Sequence, residues 1–165
     1  MKTAEKAGNI QPDRIMRVLI PSIDVESMGH RLTPTERSPQ TLLDLVTLLR
    51  DQFPFVDADQ EKGSDHIGDM ILQFMKIKSG YERWKNPPPQ AAEVDVMIQR
   101  FNALRENAAF VTVAEDEFDD DRRVSFNLIP GEDIIIGYAS QKHQDGATAL
   151  TERIADTLGY CVNPL

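Results

Sequence analysis

A chain of 165 residues with 27 acidic against 18 basic side chains, a formal net charge of −9, has the size of one domain with an ample core, and unless its basic residues are segregated it disfavours a phosphate backbone or an anionic membrane as main partner. The single cysteine, Cys161, closes no internal disulfide and leaves no thiol cluster for a metal, which points to a reducing compartment. Met1 to Pro12 is polar without the apolar segment of a secretion signal, and no run reaches the length of a membrane span. These features predict a soluble cytoplasmic protein with a flexible arm at 1–13 and one domain over 14–165.

In chain order, Arg14 to Ile23 reads as a strand, with Ile15, Val18, Leu19 and Ile20 apolar and Pro21 at its end or edge. Residues 24–37 hold no sustained period and read as loop. Ser38-Pro39 predicts a helix start, since Ser accepts from an early backbone N–H and Pro lacks only a donor orphaned there anyway. Leu42, Leu45, Val46, Leu49 and Phe53 then form a helical stripe to about Gln52. After a connection over Phe53 to Asp65, Ser64 or Asp65 caps a second helix with Ile67, Met70, Ile71, Phe74 and Ile77 on one face and Gly80 as its end or kink. Pro87-Pro88-Pro89 forces an extended corner, and Val94, Met97, Ile98, Phe101 and Leu104 make the stripe of a third helix.

Period-two alternation then marks a sheet over 109–140, a meander of Phe110–Val113, Val124–Leu128 and Ile134–Tyr138. Pro130-Gly131 supplies the turn that would join the last two runs as a hairpin, and Arg14–Ile23 is available as a fourth strand. A last helix is expected to start at Asp145, capped by that carboxylate, with Ala147, Leu150, Ile154 and Leu158 inward and Gly159 as a left-handed stop. The whole predicts an α+β fold, an antiparallel sheet of three to four strands packed with about four helices.

No catalytic or cofactor signature emerges: His30, His66 and His143 lie in separate segments, and neither a nucleophile elbow nor a zinc-protease helix is present. Asp57, Asp59, Asp65, His66 and Asp69 are the densest set of hard ligands. A standard calcium loop counted from Asp57 fails, because Lys62 stands where Gly is needed and Gly68 where a bidentate Glu is needed. A nonstandard divalent site competes with a capped helix and a solvated acidic approach, and it would make the chain a metal-dependent enzyme or sensor. Lys142, His143 and Gly146, in an expected loop leading from strand to helix, could hold an anion, but Asp145 as cap would occupy the same donors.

Tyr81 and Trp84, beside Arg83 and Lys85, form an aromatic and basic island of the kind found at interfaces. Glu115, Asp116, Glu117, Asp119, Asp120 and Asp121 make an acidic loop closed by Arg122-Arg123. Together these predict a non-enzymatic interaction protein of immunity, inhibitor or adaptor type, with no cofactor unless the divalent metal binds. Its partner is expected to be another protein, basic by charge complementarity, and neither nucleic acid nor membrane. A further alternative is a structural subunit, such as a homodimer, in which the Arg14–Ile23 strand pairs across the interface.

Overall fold

The computed structural model describes residues 28–82 and 90–165. The arm at 1–13, the expected strand at Arg14–Ile23, Trp84 and the Pro87–Pro89 corner lie outside the described residues. Within them the chain is α+β, with strands β1 (Gly29–Pro34), β2 (Phe55–Asp59), β3 (Ala109–Ala114), β4 (Arg123–Leu128), β5 (Ile134–Gly137) and β6 (Tyr160–Pro164). Its helices are α1 (Leu42–Gln52), α2 (Gln60–Glu82), α3 (Gln90–Leu104) and α4 (Gln141–Leu158). The described residues fall into two compact units, one within 65–105 and the other comprising 28–64 and 106–165.

The larger unit holds two antiparallel sheets, ordered β5-β1-β6 and β2-β3-β4. Alternate residues of both sheets, among them Leu32, Val111, Val113, Phe126, Leu128, Ile134 and Ile136, meet Leu45 and Leu49 of α1 and Leu150, Ile154 and Leu158 of α4 in one buried core. The expected meander therefore divides. β4 pairs with β3, Val111 opposite Phe126, whereas β5 leaves for the other sheet and pairs with β1, Leu32 opposite Ile134. The turn at Pro130-Gly131 forms as its chemistry requires, with Gly131 at φ 81° and the Glu132 N–H donating to the Ile129 carbonyl over 3.1 Å. A turn reverses the chain but does not choose the strand's neighbour. That neighbour, β1, lies in the stretch read as loop, because only Gly29 and Leu32 of its six residues are buried. It is nonetheless the central strand, flanked by β5 and β6.

Local polar contacts move three helix starts. The Ser38 hydroxyl is spent on the Thr35 carbonyl, 2.6 Å away, so α1 is capped instead by Thr41, whose hydroxyl accepts from the Asp44 N–H. The connection expected at 53–65 contains strand β2, and α2 follows it directly, ahead of the start expected at Ser64 or Asp65: Asp59 accepts from the Lys62 N–H at 2.9 Å. The helix passes Gly80 and runs to Glu82. At the other end of the chain, Ser140 and not Asp145 caps α4, accepting from the His143 N–H at 3.1 Å, while the Asp145 carboxylate accepts from the Gln141 side-chain amide. Gly159 ends α4 at φ 75° with its N–H on the Ala155 and Asp156 carbonyls, as its position predicts.

A close approach seats the start of α2 on β3. A Cβ on Gly63 would lie 2.6 Å from the Ala109 Cα and 2.7 Å from the Phe110 nitrogen, so only glycine lets the backbones meet there. In the 65–105 unit, Ile67, Ile71 and Phe74 of α2 and Val94, Met97 and Phe101 of α3 are the buried stripes. Phe74 stacks on Phe101 with planes 4° apart, and Lys78 donates to Asp95 at 2.9 Å.

Candidate functional site

The β3–β4 connection is where unusual exposure and ordered backbone coincide. Its inner hydrogen bonds are local: the Asp116 carboxylate accepts from the Phe118 N–H at 2.9 Å, and the Asp119 carboxylate accepts from the Asp121 N–H at 3.0 Å. Short polar side chains folding back on their own backbone are what Asp supplies in turns. A 3₁₀ turn at Asp120–Arg122 completes the loop. Asp119 pairs with Arg122 at 3.6 Å, Asp120 with Arg123 at 3.5 Å, Asp121 with Lys142 at 3.3 Å, and Glu115 with Arg153. Four of the six carboxylates thus have a cation at the base of the loop. Asp116 and Glu117 stand exposed at its tip beside Phe118, whose surface is 89% exposed. A phenylalanine so exposed leaves about 1.5–3 kcal/mol of apolar burial unrealised in the free chain.

The residues considered for anion binding lie inside α4. Lys142 pairs with Asp121, and Gly146 faces the Asp121 carbonyl, which a Cβ there would meet at 2.8 Å. His143 is held by both ring nitrogens: Nδ1 accepts from the Ala139 N–H at 3.0 Å, which leaves the hydrogen on Nε2 to donate to the Arg123 carbonyl at 2.7 Å. These three residues serve the acidic loop.

Two of the three histidines converge on Tyr138, although they are far apart in sequence. The Tyr138 hydroxyl donates to Thr151 at 2.9 Å, so His30 Nδ1, 2.8 Å from the same oxygen, is the donor to it. Both imidazoles stand edge-on to the phenol, with centroids at 5.5 and 5.3 Å. Burial pushes the Tyr138 hydroxyl above the usual phenol range; the Thr151 and Thr148 hydrogen bonds oppose this and the Glu152 charge adds to it. With Tyr138 and Thr151 both buried, this cluster satisfies polar groups within the fold and ties β1 and the end of β5 to α4.

The candidate metal ligands are dispersed. Asp57 and Asp59 lie on β2, both exposed, and Asp59 is spent as a helix cap. Asp65 and Asp69 are exposed on α2 and His66 beside them is half-buried. Among the described residues no three His, Cys, Asp or Glu side chains converge to hold an ion. Asp65 and Asp69 instead line an open groove of about 500 Å³ between α2 and α3, with Ile71, Leu72, Met75 and Arg105. Tyr81 is half-buried near the end of α2. Cys161 is exposed, because the pleat of β6 turns Tyr160 inward and its neighbour out.

Sequence reasoning named the carboxylates of the loop but not Phe118. Its signal was available: a large apolar residue within an otherwise acidic stretch, where solvation alone would not call for it. Gly146 carried no such signal, since its role depends on a carbonyl from another part of the chain. No helix among the described residues is long and apolar enough to cross a membrane. Comparison with protein-family models, with curated proteins and with solved structures finds no match.

Proposed function

We propose that the chain is a cytoplasmic, non-enzymatic interaction protein that engages another protein through the Glu115–Asp121 loop. Phe118 enters an apolar pocket of the partner, and Asp116 and Glu117 meet basic groups at the rim of that pocket. The observation that carries this reading is the 89% exposure of Phe118 on a loop whose backbone is held by its own carboxylates. An aromatic anchor on an ordered element loses little conformational freedom on docking, which is the usual character of an interface hot spot. The net charge of −9 favours encounter with a basic face. The neutralised base of the loop argues against a polybasic partner that would need all six carboxylates. The lone cysteine supports a reducing compartment.

The test is retention from an extract of the source cells by the immobilised full chain, comparing wild type, Phe118→Ala and the double variant Asp116→Asn/Glu117→Gln. Recovery of the partner should fall about tenfold or more for Phe118→Ala. It should fall only a few-fold for the double variant, which should also lose most of the salt dependence. Equal recovery by wild type and Phe118→Ala would remove the loop from the interface.

A further inference from the structure

We infer that one face of helix α4 is a cradle that presets the acidic loop, with Gly146 and His143 as the residues that position Phe118 for docking. This rests on the reading of that loop as the binding element. Lys142, Gly146 and Arg153 are four and then seven residues apart, so they form one stripe along α4. Each meets the loop or its roots. Lys142 Nζ reaches Asp121 at 3.3 Å, and Arg153 pairs with Glu115 where the loop leaves β3. The same guanidinium lies over the Phe53 ring, 4.9 Å from its centroid, which fixes its direction. Between them Gly146 admits the Asp121 carbonyl to a distance of 2.8 Å from where a Cβ would stand, with the Asp121 Cβ at 3.0 Å. His143, alongside the stripe, donates to the Arg123 carbonyl where the loop rejoins β4, and its other nitrogen is locked by the Ala139 N–H. The loop is therefore gripped at its start, its 3₁₀ turn and its end, and the tip between them is tied to the last of these by the Arg123 guanidinium, which donates to the Glu117 carbonyl.

A loop already in its bound shape pays less ordering entropy on association. Loosening the cradle should weaken docking although no residue that meets the partner has changed. Gly146→Ala is the discriminating variant, because alanine in a helix interior is ordinarily more favourable than glycine. Any loosening must then come from the contact with Asp121. Gly80→Ala is the control, since a Cβ on Gly80 meets nothing within 4 Å.

The experiment is limited digestion of the full chain with chymotrypsin, following by mass the cut after Phe118, alongside the melting temperature and the partner retention described above. Wild type and Gly80→Ala should be cut slowly there, because a protease needs a locally opened segment. Gly146→Ala should be cut about tenfold faster at an unchanged melting temperature and should retain several-fold less partner. Should Gly146→Ala lower the melting temperature, His143→Ala carries the same test through the Arg123 root. Cutting at the wild-type rate in both variants would overturn the cradle, while leaving a loss of binding by Phe118→Ala in force. Faster cutting with undiminished retention would overturn the positioning role. Undiminished retention by Phe118→Ala would instead count against the binding loop itself.

Discussion

Residues 57–69 and 115–121 are both rich in carboxylates, yet the backbone disposes of them in opposite ways. In the first stretch a strand runs directly into a helix, so Asp57 and Asp59 project from β2 while Asp65 and Asp69 ride on α2. Each is solvated, and Asp59 caps the helix. In the second stretch a short connection folds on itself and against α4, four carboxylates find cations, and an aromatic side chain is left at the tip. Carboxylate density by itself thus carries no function. What differs between the two stretches is the neighbour: only the second sets its acids beside a large exposed apolar side chain, Phe118, which is the basis of the proposed reading.

In the first stretch the closest backbone approach belongs to Gly63, which is not an acid. Gly63→Ala would place a Cβ against the Ala109 and Phe110 backbone, where no flexible side chain can yield. About 3 kcal/mol of destabilisation is expected by denaturant unfolding. A variant as stable as wild type would mean that the first turn of α2 yields easily against β3.

A third acidic place, Glu132-Asp133, extends the contrast to a carboxylate pair beside a buried group. The Tyr160 hydroxyl is pushed up to about 12, chiefly by burial, with the Asp133 and Glu132 charges adding. It has no hydrogen-bond partner among the described residues. Because the folded value lies above the unfolded one of 10.0, its contribution is fully present below pH 10 and is lost as pH rises through the folded value. The loss is about 2–3 kcal/mol in all. Tyr160→Phe should flatten this alkaline decline, measured as unfolding free energy against pH, and should cost little at neutral pH since it removes an unsatisfied hydroxyl. An identical alkaline profile in the variant would assign the decline to Tyr138 or to other groups. In the second stretch, Phe118→Ala should cost about 2 kcal/mol of partner affinity by titration calorimetry, with the melting temperature unchanged.

Much of the fold is legible in the sequence, and what is not follows a pattern. The helical stripes of α1, α2, α3 and α4 and the stop at Gly159 could be read because local periodicity and local turn chemistry specify them. β1, β2 and β6 could not. β1 takes its place from two neighbours distant in sequence, and its His30 and Arg31 are accommodated by Tyr138 and Asp133. β2 carries exposed acids on its outward positions, which resemble loop. β6 follows a helix stop at the chain's end and has one buried residue, Tyr160. The candidate site divides the same way. Its acids and the arginines that pair with them are neighbours in sequence, whereas Lys142, Gly146 and Arg153 reach it only through the packing of α4.

The smallest expected effect bears on the first stretch, and it separates two uses of one carboxylate. If Asp59 acts only as a cap, what matters is an oxygen that accepts from the Lys62 N–H, and Asn supplies one as well as Asp. Asp59→Ala should then lower stability by about 1 kcal/mol and Asp59→Asn by a few tenths. A metal ligand would behave otherwise, since a neutral amide oxygen replaces a carboxylate poorly for a hard cation. In that case Ca²⁺, Mg²⁺, Mn²⁺ or Zn²⁺ should raise the wild-type melting temperature, a chelator should reverse the rise, and Asp59→Asn and His66→Ala should each abolish it. The dispersal of Asp57, Asp59, Asp65, His66 and Asp69 leads us to expect the capping pattern. A reversible, ion-specific shift lost in Asp59→Asn would instead place a metal site at the start of α2 and count against the proposed loop reading.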